Sequence, residues 1–321
     1  MPFIACGTQL AMENFTAEEE NNKNIQALFC TARSSGKHWI FFAAFNFLFS
    51  ITAILGNTLI LIALHKESSL HPPSKLLYRC LAITDLLVGL ITEPVYAFYF
   101  LFEETHHWLN FCLYSAATAT VSFTILTSVS LLTMTTISVD RLLALLLGLR
   151  YKHTVTLRRV RTLVIFFWIP GITFSSMSFW KYTITKSFNY TLISLCLLIS
   201  VACYSKIFFN LRHRQNEIQS KIQDCQPKRE GSIMNLAQYR KTVSAAVSVQ
   251  LALWACYLPY SIVIAIIISQ KSSPFLDICW ELTSTLVCLN SSLNPILYCW
   301  KIKEVRQEVK KTIRQFLCLL V

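Results

Sequence analysis

Charge is what this sequence has least of: Asp, Glu, Lys and Arg together make up 14% of its 321 residues, where a soluble domain carries about 25%. That scarcity argues against an ordinary water-facing surface and points to a bilayer as the solvent. Glycine (7) and proline (9) are too few for a linker-rich or low-complexity chain, and no internal repeat is visible. The opening stretch MPFIACGTQLAMENF has no basic segment followed by an apolar run. No cleavable signal peptide is therefore expected there, and the first hydrophobic span has to target the chain.

What fills the space is hydrophobic: 54% of residues, with a mean hydropathy of +0.48. Crossing a bilayer takes about 20 mostly apolar residues, and a helix satisfies its own backbone there. Seven stretches qualify: His38–Leu64, Leu76–Phe102, Phe111–Leu145, Thr162–Phe179, Phe188–Asn210, Thr242–Ser269 and Leu276–Trp300. The third is mixed, with Ser115, Thr118, Thr120 and Ser122 near its start, which predicts a place in the bundle centre rather than against lipid. The predicted fold is thus an all-α membrane protein, a seven-transmembrane helix bundle.

The basic residues set its orientation. Of 29 Lys and Arg, 23 flank the links between spans 1–2, 3–4 and 5–6 or follow span 7, against 6 on the other side. By the positive-inside rule the N-terminus is outside and the C-terminus in the cytosol. The net charge of +12 reads as a topology signal and an attraction to the inner leaflet, so no nucleic-acid partner is needed. The organisation expected is an extracellular tail over 1–37, the spans over 38–300 and a cytosolic segment over 301–321. Two glycosylation sequons, at Asn14 and Asn189, fall on the outer side, whereas Asn290-Ser291-Ser292 lies within a span.

The cytosolic segment KIKEVRQEVKKTIRQFLCLLV places Ile302, Val305, Val309, Ile313, Phe316 and Leu317 at helical spacing among Lys and Arg. This predicts an amphipathic helix on the inner leaflet, with membrane lipids as its partner. Cys318 follows the stripe; palmitoylation, an unmodified thiol, or prenylation of the terminal Cys-Leu-Leu-Val are the alternatives.

Charge inside a bilayer costs at least about 2.5–3.5 kcal/mol and marks a functional candidate. Asp85 sits in the middle of span 2, Glu93 eight residues outward, Asp140-Arg141 at the cytosolic end of span 3, and Glu281 near the outer end of span 7. Glu93 and Glu281 either snorkel toward the outer headgroups or face the interior; Asp85 is too deep to snorkel.

Several of these residues fall into one ordered set. Asn57 follows Gly56 in span 1, and Leu81-Ala82-Ile83-Thr84-Asp85 lies in span 2. Asp140-Arg141-Leu142 closes span 3, Trp168 marks span 4, Tyr204 span 5 and Pro259 span 6, and Asn294-Pro295-Ile296-Leu297-Tyr298 closes span 7. In this order and spacing, across every span, the chain resembles the rhodopsin-like (class A) G-protein-coupled receptors. The resemblance implies that Asp85, Ser130, Asn290 and Asn294 form a polar cluster that holds an allosteric sodium ion. It implies that Arg141, restrained by Asp140 at rest, swings toward Tyr204 and Tyr298 as span 6 moves outward about Pro259. The cleft so opened takes a helix of a heterotrimeric G protein. No other cofactor and no enzymatic activity are implied.

The departures are informative. Leu142 follows Arg141 where Tyr is usual, Gly148 replaces a loop proline, and Tyr257 replaces the Trp before the span-6 proline. Tyr239 stands where many members have an acid that pairs with the span-3 arginine, which loosens the expected resting lock. Span 5 has Cys196 in place of its proline, Ala116 occupies the usual span-3 cysteine position, and the loop 180–187 has no cysteine. The outer cysteines are Cys6, Cys30, Cys112 and Cys279, with no pairing readable. These features are similar to the melanocortin, lipid, cannabinoid and adenosine receptors.

Carried over from the family, the ligand cavity should be lined by Phe123, Thr127, Tyr257, Tyr260, Ser284 and Cys288, with Glu93 available to a basic group. An amine receptor would present Asp where Phe123 stands, and an opsin would carry a lysine in span 7; neither is present. The aromatic lining suits a small apolar or amphipathic molecule or a peptide, although such rings also serve as plain core packing. The histidines all fall at span ends, in loops or in tails, which argues against an intramembrane zinc hydrolase. A transporter would show repeats and broken helices. A non-signalling scaffold or trafficking partner is the alternative to a receptor in the plasma membrane.

Overall fold

The computed structural model describes residues 38–66, 70–102, 109–179, 182–224, 251–269, 273–301 and 303–320. The expected tail over 1–37, with Asn14, and the segment containing Tyr239 lie outside these residues, as do the side chains of Cys112, Tyr298 and Cys318. Helix α1 runs His38–Lys66. Helix α2 starts as Pro72–Leu87, passes through a π-turn, Val88–Thr92, and ends as Glu93–Phe102. The others are α3 (Leu109–Leu147), α4 (Leu157–Ser176), α5 (Tyr182–Asp224), α6 (Leu251–Ser269), α7 (Pro274–Lys301) and α8 (Lys303–Leu320). Among the described residues there is no strand.

Five of these helices, α1, α2, α3, α5 and α6, are long and apolar enough to cross a membrane. Of the other three, α8 is short and amphipathic, and α4 and α7 have physical reasons for weaker hydropathy. Helix α4 opens on a basic turn, with Arg158, Arg159 and Arg161. Helix α7 buries Glu281, Thr283, Ser284, Thr285, Asn290, Ser291, Ser292 and Asn294, polar groups that face the bundle and never meet lipid. Hydrophobic side chains cover the outside instead, as with Phe41, Leu55, Ile165, Leu198 and Phe209. That inversion of the soluble pattern is what lipid as solvent requires.

Helix α3 is central, as its composition predicts: it packs on α2, α4 and α5. Its hydroxyls bond to carbonyls one turn back, Ser128 to Thr124 (2.6 Å), Thr133 to Val129 (2.7 Å) and Ser138 to Met134 (3.1 Å), so they cost little when buried. The helix ends at Gly148, whose φ of +50° is a left-handed cap that glycine adopts freely. A short turn of helix, Tyr151–Thr154, then leads to α4, which is capped by the Thr156 hydroxyl. Helices α1 and α7 meet at Gly56, where a side-chain methyl would stand 2.9 Å from the Pro295 ring.

Pro94 explains the π-turn. It has no N–H, and its ring would clash with a carbonyl one turn back, so the preceding turn widens. The Glu93 N–H bonds Val88 O instead of Gly89 O, and the Ser50 hydroxyl on α1 takes up the freed Gly89 carbonyl at 2.7 Å.

Candidate functional site

Asp85 organises the interior. It is 0% exposed and accepts from Asn294 Nδ2 (2.7 Å), Ser291 Oγ (3.0 Å) and Ser130 Oγ (3.3 Å). Helices α2, α3 and α7 are thus tied through one carboxylate. Asn57 adds α1, donating to the Ser291 carbonyl at 3.0 Å. Of the four residues expected around a sodium ion, the structure joins Asp85, Ser130 and Asn294 directly. Asn290 is buried beside them, but its Oδ1 has no hydrogen-bond partner, and neither has Asn294 Oδ1. Orphaned amide oxygens near a carboxylate are the hard donors an alkali or alkaline-earth ion takes, so the residue set fits a cation. Ser291 is an addition to the expected cluster. It lies three residues before Asn294, a helical spacing that shares a face, and that spacing was readable.

Glu93 faces the interior and does not snorkel: it is 0% exposed. In an unbroken α-helix, eight residues would leave it about 80° around from Asp85. The π-turn absorbs one residue and closes that angle to about 20°. Glu93 consequently lies within electrostatic reach of Asp85 and of Cys288 on α7. Both its carboxyl oxygens are without a hydrogen-bond partner. Glu281 is also buried, at 4% exposure.

Beyond this level, on the side away from Arg141, the bundle is closed by aromatic rings. Tyr96, Phe123, Tyr260 and Trp280 form a chain across α2, α3, α6 and α7, with centroids 6.1, 5.7 and 5.3 Å apart, and Lys186 sits over Trp280. Phe123, Thr127, Tyr257 and Tyr260 surround one small cavity with Ser128 and Asn189. Its volume of about 10 Å³ is about what one water needs. Ser284 and Cys288 do not line that small cavity: Ser284 donates to the Trp280 carbonyl at 2.8 Å, and Cys288 is buried in the same core cluster as Phe123, Tyr257 and Tyr260. Asn189, expected as a glycosylation acceptor at the outer end of span 5, lies within α5, which already starts at Tyr182. Its side chain is 9% exposed and lines the cavity.

The opposite end of the bundle is built around Asp140 and Arg141. Asp140 is 3% exposed and accepts from the Tyr151 hydroxyl (2.6 Å) and the Ser74 hydroxyl (2.9 Å). Arg141 makes one contact with it, Nη2 to Oδ2 at 3.4 Å, and lies over the Tyr78 ring, 5.8 Å from its centroid. Tyr204 on α5 bonds to Ser138 and is within electrostatic reach of Arg141. Tyr78, Ser74 and Tyr151 were not among the residues singled out. Ser74 and Tyr78 are four apart on one face of α2. Pro259 is within α6 and Pro295 within α7. Helix α8 turns Val305, Val309 and Thr312 inward, at 1%, 7% and 2% exposure, while Ile313 stays 40% exposed. Lys66 on α1 ties it down through Gln315 at 3.0 Å.

Sequence comparison places this architecture. The family described as 7 transmembrane receptor (rhodopsin family) matches residues 56–189 and 173–298. The Bos taurus adenosine receptor A3 is 27% identical over 81% of this chain and 85% of its own length. Trace amine-associated receptor 9 of Homo sapiens is 25% identical over 84% of this chain and 82% of its own length. Dopamine receptor 2 of Drosophila melanogaster is 29% identical over 51% of this chain, which is 34% of its own length. With the family pattern matched over most of its length and its polar core in place, the chain belongs to the rhodopsin family of seven-transmembrane receptors.

Proposed function

We propose that this G-protein-coupled receptor stands in the plasma membrane with residues 1–37 outside and 301–321 in the cytosol, and that its ligand carries a basic group recognised by Glu93. The observation that supports the ligand reading is the Glu93 carboxyl: 0% exposed, without a hydrogen-bond partner, and turned inward by the π-turn. Burying an acid with nothing to bond is costly, and a ligand cation offsets that cost. The aromatic rings of Tyr96, Phe123 and Tyr260 above it suit the apolar body of such a ligand and contribute cation–π attraction. Among the relatives, two are named for amines; here the α3 position expected to hold an acid in such receptors is Phe123, and the acid is on α2 instead.

Asp85, Ser130, Asn290 and Asn294, with Ser291, are the residues that would hold a sodium ion in the resting state, supported by the orphaned Asn oxygens. Arg141 is the residue that would meet the G protein once α6 has moved.

The test of the ligand reading is guanine-nucleotide exchange on receptor membranes, screened with matched cationic and neutral amphiphiles. Cationic members should drive exchange, and Glu93→Gln should shift their potency at least about tenfold, the cost of one charge-assisted contact. Activation by neutral members alone, with Glu93→Gln unchanged, contradicts it. No exchange under any condition favours the scaffold alternative.

A further inference from the structure

We propose that Tyr78 is a positioning residue that holds Arg141 at rest, replacing with an aromatic ring on α2 the acid that this chain lacks at Tyr239. The proposal rests on the reading of Arg141 as the G-protein-coupling residue. It begins from how poorly Asp140 can restrain the arginine alone. Both Asp140 oxygens are engaged by neutral donors, Oδ1 by Tyr151 and Oδ2 by Ser74. The ion pair is a single contact at 3.4 Å and not a bidentate fork, and Arg141 Nε has no hydrogen-bond partner. Asp140 is thus shared among three donors and offers the arginine one long contact, while the Arg141 side chain is still 26% exposed and free to turn on its exposed side.

The Tyr78 ring supplies the missing wall. It is 8% exposed, and the guanidinium carbon stands 5.8 Å from its centroid, inside the range of about 6 Å in which a cation is attracted to a ring face. Tyr78 is set by its own helix: Ser74, one turn earlier on the same face, is anchored to Asp140, so α2 and α3 are in register at this level. When Arg141 turns toward Tyr204 on α5 it has to leave the Tyr78 face. A contact made in only one of two states biases the equilibrium toward that state.

Two substitutions separate the ring from the hydroxyl and from mere volume. Tyr78→Phe keeps the ring; Tyr78→Met fills similar space with no π face. Ligand-free nucleotide exchange is measured per receptor at the cell surface, alongside wild type and Arg141→Ala. Tyr78→Met should raise basal exchange about fivefold, as expected for losing one partly desolvated cation–π contact, and Tyr78→Phe should stay at the wild-type level. A damaged fold would lower exchange, so a rise cannot come from misfolding. The proposal is overturned by Tyr78→Met signalling at or below wild type, or by Tyr78→Phe rising as far as Tyr78→Met. Unchanged agonist-driven exchange in Arg141→Ala would instead sink the reading of the arginine itself.

Discussion

Asp85 and Glu93 are the two carboxyls of the α2 interior, and the structure treats them differently. Asp85 has three protein donors spread over α3 and α7; Glu93 has none. A buried acid with converging donors and spare amide oxygens beside it has the chemistry to take a hard cation, which is the reading proposed for Asp85. If sodium favours the resting arrangement, raising sodium should lower basal or agonist-driven exchange, by about fivefold or more for an ordinary allosteric coupling. Asp85→Asn should make exchange insensitive to sodium, since it removes the only carboxylate in the cluster; an unchanged sodium response in that variant would place the ion elsewhere. Asp85, Asp140 and Arg141 were legible in the sequence because charge inside a span is rare. The roles of Ser74, Tyr78, Tyr151 and Ser291 were harder to read, because Ser and Tyr are ordinary in spans and only the packing of α2 against α3 and α7 brings them to the acids.

The elements themselves were legible from long apolar runs, with ends shifted by local chemistry. Helix α5 begins at Tyr182, before the expected Phe188, because Thr185 can anchor the new turn through the Phe174 carbonyl at 2.8 Å. That long-range bond has no sequence signature, and it is what moved Asn189 into the cavity wall. The π-turn in α2 was similarly hidden. Pro94 announces a disturbed helix, but whether it kinks or widens depends on a partner for the freed carbonyl, and that partner is Ser50 on another helix. The widened turn points Glu93 inward. Pro94→Ala should let the turn relax to a regular α-helix and swing Glu93 by about 100°, one residue's rotation. The response to cationic ligands should then fall by at least tenfold, as in Glu93→Gln, while receptor number at the surface is retained. Full potency in Pro94→Ala would show that the π-turn does not aim the carboxyl. Helix α8 runs Lys303–Leu320 within the expected segment, and part of its apolar stripe, Val305 and Val309, joins the bundle core instead of lipid, because α1 and α7 come close enough to cover it.

At the scale of the molecule, the bundle separates an aromatic closure at one end, a polar middle and an arginine at the other end, with Asp85 linking the helices between them. The charge bias of 23 basic residues on one side against 6 on the other predicts its orientation. An epitope placed after Met1 should be accessible to antibody on intact cells, and one after Val321 only after permeabilisation; equal labelling of both on intact cells would contradict a seven-span path. The central claim is that ligand occupancy outside drives nucleotide exchange inside through Arg141. The direct measurement is ligand-stimulated guanine-nucleotide exchange on membranes carrying equal surface numbers of wild type and Arg141→Ala. Stimulated exchange in wild type that falls to the receptor-free background in Arg141→Ala is the predicted result; the same stimulated rate in both would contradict the account.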